Sequence, residues 1–285
     1  MKKGIVAILI CILLIVSSLV IVYPIKALKV NSDTLYVGGD GPGNYTRIQD
    51  AIDNASDDDN VFVYNGTYYE NVEIWKSITL VGEDRNSTII DGQNKGSVIN
   101  IFTEWVTIEN FTIRNGIIGV RGGFWRLTIS RNIIVNNDKG IELCDSENNK
   151  IIGNLIKENN YGIDFQHVEN SVIGDNYILL NKKIGILFQM RAYIGCENNS
   201  VYFNTIKQNT MGISLEWSSL NEINFNNFYQ NIVDARFRMS SWTNWNHNYW
   251  GRTRIFPKPI LGFWLFSFVM FNFDWHPAKE PYDIT

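Results

Sequence analysis

Two acidic residues, Glu142 and Asp164, stand 22 positions apart within the similar tetrapeptides GIEL (140–143) and GIDF (162–165). If a repeat of that length places them side by side, the pair could share a proton, hold a divalent cation, or act as acid and nucleophile on a glycoside. Arg121, about one repeat earlier, would then offset the two negative charges. Glu142, Asp164 and Arg121 are therefore candidate catalytic residues, and the alternative is a polar outer face without chemistry.

The same repeat places further polar and aromatic residues beside this pair. Two columns are predicted: Arg121, Glu142, Asp164, Leu187, Ser214 and Arg236, and next to it Cys144, Gln166, Gln189, Glu216 and Arg238. Aromatic rings stack on sugar rings, and amides and carboxylates bond sugar hydroxyls. We predict a set that binds a polysaccharide or surface glycan, with simple half-buried packing of the tryptophan as the alternative: Gln166, His167, Gln189, Glu216 and Trp217.

The three histidines, His167, His247 and His276, lie in distant parts of the sequence, so they predict no metal centre. Copper delivery would require clustered His or Met ligands. No cofactor is expected, apart from the divalent cation that the two carboxylates could hold.

The elements that would position these residues are indicated by asparagines that recur every 22 positions, with one longer step of 28. A second series follows five residues later and shares every step. A fixed short period indicates one structural unit stacked on itself. Stacked amides can hydrogen-bond to their counterparts one coil away, so two buried ladders are predicted: Asn110, Asn132, Asn154, Asn176, Asn204 and Asn226, and Asn115, Asn137, Asn159, Asn181, Asn209 and Asn231.

The segments between the asparagines have the pattern of strands. Residues 140–143, 162–165, 185–188 and 212–215 each begin with glycine, suited to a sharp bend at positive φ, and then place apolar residues at alternate positions. Short strands joined by tight turns, without room for a crossover helix, predict an all-β fold: a right-handed parallel β-helix with coils of about 22 residues. The 28-residue step predicts an insertion near residues 190–196.

The two ends differ from the repeats. Lys2 and Lys3 precede an uncharged run over residues 4–25, which predicts a signal anchor or transmembrane helix within residues 1–29, or else a cleaved secretory signal. Thr46 and Gln49 have capping-box spacing before a short amphipathic helix, which would cap the first coil of a β-helix domain over residues 30–251. The aromatic segment 252–285 is predicted to cap the last coil, with a membrane-surface or partner contact as the alternative.

Several segments resemble the opening coils of the pectin lyase-like superfamily: YTRIQDAI (45–52), GTYYENV (66–72), ITLVG (78–82) and IIDG (89–92). The Asn/Gly repeats and the NYWG segment at 248–251 are similar to NosD-like proteins, including the carbohydrate-binding and sugar-hydrolysis (CASH) repeat domain common on archaeal surfaces. The resemblance implies the β-helix fold but several functions, because that superfamily includes polysaccharide lyases, polygalacturonases, pectin esterases and a periplasmic factor for copper-site maturation. The Gly-His-Gly segment of polygalacturonases and the Asp-Phe-Ile-Phe-Gly motif of pectin esterases have no counterpart here.

The net charge of the chain and its predicted position outside the membrane exclude some classes of function. The net charge of −4 and the lack of a basic cluster argue against nucleic acid as a partner. The expected protein is a membrane-anchored, extracellular β-helix that binds carbohydrate or another surface component without catalysis. The alternatives are a hydrolase or lyase acting on polysaccharide through Glu142 and Asp164, and a NosD-like periplasmic factor that assists a copper enzyme.

Overall fold

The structure, a computed structural model, describes residues 32–264 and 268–284, which belong to one compact unit. It contains one short helix, α1 (Ile48–Asn54), and 28 strands numbered β1 to β28 in chain order. Most strands stack on three faces of a coil. Face 1 comprises β4 (Val72–Ile74), β7 (Ser97–Ile101), β10 (Ile118–Gly122), β13 (Lys139–Glu147), β16 (Tyr161–Glu169), β19 (Ile184–Gln189), β22 (Met211–Glu216) and β25 (Val233–Arg238).

Face 2 comprises β1 (Thr34–Val37), β2 (Asn60–Val63), β5 (Thr79–Gly82), β8 (Thr107–Glu109), β11 (Thr128–Ser130), β14 (Lys150–Ile152), β17 (Val172–Gly174), β20 (Ser200–Tyr202), β23 (Glu222–Asn224) and β26 (Asn244–Asn246). Face 3 comprises β3 (Gly66–Tyr68), β6 (Thr88–Asp91), β9 (Thr112–Arg114), β12 (Ile133–Val135), β15 (Leu155–Lys157), β18 (Tyr177–Leu179), β21 (Thr205–Lys207) and β24 (Asn227–Tyr229). The last two strands, β27 (Lys258–Trp264) and β28 (Phe268–Asp274), form a C-terminal hairpin.

Every strand on the three faces pairs in parallel with its equivalents one coil before and after, so the chain is the predicted right-handed parallel β-helix of about ten turns. Ile141, for example, pairs with Ile163, and Ile163 with Ile186. The inward residues of all three faces form one continuous apolar core along the axis. This register is what turns sequence positions about 22 apart into spatial neighbours.

Two asparagine ladders run along the turns, as predicted. On the turn between faces 2 and 3, the amide Nδ2 of Asn154 donates to Oδ1 of Asn176 at 3.0 Å, and the same bond links every rung from Asn132 onward. On the turn between faces 3 and 1, Asn159 Nδ2 donates to Asn181 Oδ1 at 3.3 Å. These rungs are almost all buried, and their amides satisfy backbone groups inside the turns.

The first member of each predicted ladder is wrong. Phe111 N, not Asn110, donates to Asn132 Oδ1 at 3.0 Å, and Gly116 N, not Asn115, donates to Asn137 Oδ1 at 2.8 Å. The cause is a coil one residue shorter, because Thr112 pairs with Ile133, 21 positions on. Asn110 and Asn115 therefore lie one position before the rungs, at positive φ, where asparagine is tolerated.

The ladders also extend beyond the predicted rungs. Asn248 continues the first series, and Asp274 accepts from it at the end of the solenoid. A third polar ladder, on the turn between faces 1 and 2, was not predicted and consists of Asn149, Ser171, Asn199 and Asn221.

The glycines that begin the face 1 strands have a different reason from the predicted one. None of Gly140, Gly162, Gly185 and Gly212 has positive φ. A Cβ on Gly140 would instead lie 2.5 Å from the carbonyl oxygen of Gly162 in the next coil. Glycine is required here because successive backbones approach each other closely.

The helix α1 covers the first coil, with Ile48, Ala51 and Ile52 buried. The predicted capping box is wrong, because no side chain of the helix start caps it. Glu70 does so from a distant turn: its Oε1 accepts from Ile48 N at 2.9 Å and its Oε2 from Gln49 N at 3.1 Å. A carboxylate at a helix N-terminus also complements the helix dipole.

Two features interrupt the regular coils. The predicted insertion lies between Gln189 and Glu197, since the register step grows from 23 at Gln166–Gln189 to 28 at Glu169–Glu197. The predicted membrane anchor, residues 1–29, lies outside the described residues. Among the residues that are described, no helix is long and apolar enough to span a bilayer.

Candidate functional site

The outward residues of face 1 stack in the predicted column. Glu142 pairs in register with Arg121 on one side and with Asp164 on the other. The column then continues through Leu187, Ser214 and Arg236. Glu142 and Asp164 are therefore next to each other one coil apart.

A lysine that the sequence did not single out holds the two carboxylates together. Lys139 Nζ contacts Glu142 Oε1 and lies 2.7 Å from Asp164 Oδ2. Arg121 Nε lies 3.5 Å from Glu142 Oε2. Two positive charges thus compensate two negative ones.

Two glutamines occupy further lone pairs of the carboxylates. Gln166 Nε2 donates to Glu142 Oε1 and to Asp164 Oδ2, both at 3.1 Å, and Gln189 Nε2 donates to Asp164 Oδ1 at 2.7 Å. Only 6% of Glu142 and 1% of Asp164 is exposed. The arrangement is that of a satisfied, buried ion cluster.

The pKa of Lys139 is raised by its two carboxylate partners. Burial works to lower the pKa of Lys139, but the hydrogen bonds and charges of Asp164 and Glu142 outweigh burial and raise that pKa. The lysine is therefore firmly charged at neutral pH. A divalent cation at the two carboxylates would have to displace it.

The other predicted binding residues lie where face 1 meets the turn to face 2. Glu216 Oε1 lies 3.6 Å from Arg236 Nη2, and His167 Nδ1 lies 2.9 Å from Asp145 Oδ1. His167 lies near the end of β16 and Trp217 directly after β22, two coils apart, and the insertion after Gln189 lies on the coil between them. Trp217 is exposed, so its ring is free to contact a ligand.

Most of the exposed tryptophans lie on the turns between faces 1 and 2, a side of the solenoid hereafter called the aromatic edge. Of the seven exposed tryptophans, five lie on it: Trp75, Trp105, Trp125, Trp217 and Trp242. Exposed Phe124 and Tyr193 lie on it too. Several exposed aromatic side chains on one side of the solenoid differ from the single exposed apolar residues that any surface carries.

The N-terminal part of the aromatic edge is the densest. Trp75 stacks on Phe102 with ring centroids 3.9 Å apart and planes at 8°. One coil on, Arg126 Cζ lies 4.6 Å above the Trp105 ring, and Nη1 of the same guanidinium lies 3.2 Å from Glu104 Oε2. The rings are thus held in fixed orientations before any ligand arrives.

A shallow groove of about 380 Å³ lies beside these rings. Its lining combines one aromatic ring with hydroxyl, amide and cationic groups: Trp105, Thr107, Arg126, Thr128, Asn148 and Lys150. A ring for stacking next to convergent polar groups is the composition of a site for a polar, partly apolar ligand.

A larger groove, of about 710 Å³, lies on the turn between faces 2 and 3. Two of its charged groups are engaged with nearby side chains, since Arg131 pairs with Glu109 and Asp84 accepts from Asn86 and Ser87. The hydroxyl of Tyr177, its aromatic residue, donates to the Ile284 carbonyl. This groove offers fewer free ligand contacts than the aromatic edge.

The family model described as periplasmic copper-binding protein (NosD) matches residues 52–262, which is most of the β-helix. The chain belongs to the NosD family. That description agrees with a periplasmic or extracellular position for the body of the chain. No curated protein matches the sequence of this NosD-family chain.

Several solved structures are similar to this NosD-family chain at low sequence identity. Geobacillus virus E2 ORF18 is 13% identical with a TM-score of 0.49, covering 80% of this chain, and this chain spans only 59% of the viral protein. Escherichia coli YbhC is 12% identical with a TM-score of 0.48, covering 76% of this chain and 73% of its own. Pectin methylesterase from carrot is 12% identical with a TM-score of 0.42, covering 74% and 82%.

Proposed function

We propose that this NosD-family chain is a non-catalytic glycan-binding protein, held at the outer side of a membrane by its N-terminal segment, and that a polysaccharide lies along its aromatic edge. The observation that carries the proposal is that five exposed tryptophans lie on the aromatic edge, three on successive coils in its N-terminal part and two on successive coils in its C-terminal part. Because the turns of this edge follow one another along one side of the solenoid, rings distributed along them suit a ligand that is itself a chain of repeated units.

The contacts at the aromatic edge match sugar chemistry. Trp75, Trp105 and Trp125 offer flat apolar surfaces, and the hydroxyls of Thr107 and Thr128 stand beside Trp105 in the groove. At the other end, Trp217 would stack on a ring while Glu216 and His167 bond hydroxyls. Gln166 and Gln189 contribute from face 1 through the carbonyl oxygens that their bonds to the carboxylates leave free.

Binding is favoured over catalysis by the state of Glu142 and Asp164. A general acid needs a pKa near the working pH and a path to the substrate. These carboxylates are buried, so they have no open path to a substrate, and their oxygens are already engaged by Lys139, Gln166 and Gln189. The polysaccharide hydrolase or lyase is therefore the second candidate.

A copper-handling role, the third candidate, has little support from the donors present. Within the described residues, no group of three or more His, Cys, Asp or Glu could hold a metal ion. The fold does bring His247 and His276 together, with ring centroids 5.7 Å apart and planes at 22°. Stacked rings do not aim their nitrogens at one ion, and His276 Nδ1 is engaged with Asn246 Oδ1 at 3.1 Å. The residues do not fit a copper centre.

A glycan array probed with residues 32–285 tests the proposal, followed by calorimetry on each bound glycan. Trp105→Ala and Trp217→Ala should each weaken binding about fivefold or more, since one aromatic stacking contact is worth about 1 kcal/mol or more. Tyr69→Ala is the matched control, because Tyr69 is equally exposed but lies off the aromatic edge.

Three results would decide against it. No binding to any glycan removes the lead proposal. Cleavage of a bound glycan that Glu142→Gln abolishes favours the enzyme. Stoichiometric, tight copper binding that His247→Ala and His276→Ala remove favours the copper role.

A further inference from the structure

The C-terminal hairpin, β27 and β28, is the most apolar exposed part of the described chain. No charged residue occurs in the sequence from Pro259 to Phe273. The strand β27 extends face 1 by pairing with β25, and β28 follows as the outermost strand of the stack. The hairpin therefore lies at the end of the solenoid, with β27 against the last strand of face 1 and β28 outside it.

Both faces of the outer strand are exposed. Phe268, Val269, Met270 and Phe271 are consecutive, and between 46% and 70% of each is exposed. Successive side chains of a strand point to opposite faces, so neither face of this segment packs against the body. The base of the hairpin is anchored, because Ile260 and Asp274 are buried.

Basic residues gather at the base of the hairpin. Arg252, Arg254 and Lys258 follow the last coil, and the single ion pair of this group within the described residues is Lys258 Nζ to Asp234 Oδ2 at 4.0 Å. Burial lowers the pKa of Lys258, and the charges of Arg254 and Arg252 lower it further against the opposing effect of Asp234. The Nε of Arg254 is buried without a hydrogen-bond partner. The cluster has more positive charge than its neighbours neutralise.

The order of groups along the hairpin matches the depth profile of a bilayer surface. Apolar residues occupy the end of the hairpin where Trp264 pairs with Phe268, whereas Lys258 and the exposed Trp275 lie at the opposite end, its base. Hydrocarbon, aromatic belt and charged headgroups follow one another in that order in a membrane. A protein partner would cover one face of a two-stranded sheet, whereas lipid surrounds both.

We infer that the C-terminal hairpin inserts into the surface of an anionic lipid bilayer, with Arg252, Arg254 and Lys258 on the lipid phosphates. The insertion is shallow. Leu261, Gly262 and Phe263 of β27 pair with β25 of the last coil, so only the outer strand β28 stands beyond the paired strands, by one strand spacing of about 4.8 Å, far less than a hydrocarbon core of about 30 Å. At that depth, water and headgroups can satisfy the free backbone edge of β28.

Flotation of residues 32–285 with vesicles tests the inference without the N-terminal segment. The body should float with vesicles of phosphatidylcholine and phosphatidylglycerol, and much less with phosphatidylcholine alone. The double variant Phe268→Asp/Met270→Asp should lower partitioning at least about tenfold, since two apolar side chains leave the lipid. Ile117→Asp is the control, because Ile117 is an equally exposed apolar residue far from the hairpin in the sequence and on another turn.

Charge and depth have separate readouts. The triple variant Arg252→Gln/Arg254→Gln/Lys258→Gln should remove the preference for phosphatidylglycerol and leave the fold unchanged. Bromine-labelled lipid should quench the tryptophan fluorescence of the body less in Trp264→Phe than in the parent. This measurement decides the matter even if the double variant fails to fold.

Several outcomes would overturn the inference: no flotation with either vesicle, equal flotation of the double variant, or no lipid quenching of Trp264. A body that dimerises in solution, with the double variant monomeric and vesicles without effect, would assign the hairpin to a second copy of the chain instead.

Discussion

Asn248 donates both its backbone N–H and its Nδ2 to Oδ2 of Asp274, at 2.9 and 3.2 Å, and this pair ends the longest asparagine ladder. Trp250 Nε1 donates to the same oxygen at 3.0 Å. Each asparagine rung accepts from one coil and donates to the next, but the final rung has no further coil to receive its donors. A carboxylate, which only accepts, suits that position.

Replacing the terminal acceptor should therefore be costly. Asp274→Ala leaves three donors buried without a partner, and we expect a loss of about 3 kcal/mol in the free energy of unfolding. Asp274→Asn keeps one acceptor oxygen and should lose about 1 kcal/mol. Urea denaturation of residues 32–285 measures both. Equal stability of the Ala variant and the parent would contradict the role of Asp274 as the ladder end.

The interior rungs can be compared with the asparagine that precedes them. Asn154→Ala removes the oxygen that accepts from Asn132 and the amide that donates to Asn176, so the unfolding free energy should fall by about 2–4 kcal/mol. Asn110→Gly should change it by less than about 0.5 kcal/mol, because Asn110 is no rung and its positive φ suits glycine. Similar losses in the two variants, in thermal or urea melts, would mean that the ladder bonds do not matter.

The ladders were predictable because each coil needs the same hydrogen bonds at the same turn, and asparagine is the residue that provides them. The first rung of each ladder was not predictable, because the regular spacing of the asparagines does not reveal that the coil from Thr112 to Ile133 is one residue shorter than the others. Asn248 follows the last predicted rung of the first ladder at the same spacing. The ladder of Asn149, Ser171, Asn199 and Asn221 has the same spacing too, but a serine at one rung interrupts the run of asparagines that would have indicated it.

The candidate site was harder to predict for two physical reasons. The repeat spacing placed the columns correctly. It could not show that Lys139, three positions before Glu142 on the same strand, has a side chain long enough to contact both Glu142 on its own coil and Asp164 on the next. The aromatic edge has no period at all, because its tryptophans follow one another after 30, 20, 92 and 25 residues. Because the turns between faces 1 and 2 differ in length, the sequence spacing does not indicate that these tryptophans lie on the same side of the solenoid.

Acid should unfold the protein partly through Asp91. Burial works to raise the pKa of Asp91, but hydrogen bonds from Gln93 N, Arg114 Nε and Asn115 Nδ2 outweigh it and lower that pKa. A carboxylate with a lowered pKa stabilises the fold above its unfolded pKa of about 3.9, and that stability is lost as the pH falls through the folded value. Stability should therefore decline below about pH 4.

The variant Asp91→Asn isolates this contribution. It should be less stable than the parent at pH 7 and lose less stability between about pH 4 and pH 2. Urea midpoints measured across that range give the comparison. Asp40→Asn, in an exposed loop, should follow the parent curve at every pH. An unchanged acid dependence in Asp91→Asn would show that its three hydrogen bonds do not stabilise the charged form.

The buried pair on face 1 permits a test that separates structure from chemistry. Asp164 accepts from Lys139, Gln166 and Gln189, so Asp164→Asn directs an amide at a half-buried cation and should destabilise the protein by about 2–3 kcal/mol. Glu216→Gln breaks a partly exposed pair with Arg236 and should cost less than about 1 kcal/mol. Because the tryptophans of the aromatic edge carry most of the proposed binding, Asp164→Asn should weaken glycan binding less than Trp105→Ala does at temperatures where it is folded, and only through Gln166 and Gln189, which donate to Asp164. A fully stable Asp164→Asn that loses turnover of a polysaccharide would make the carboxylates catalytic after all.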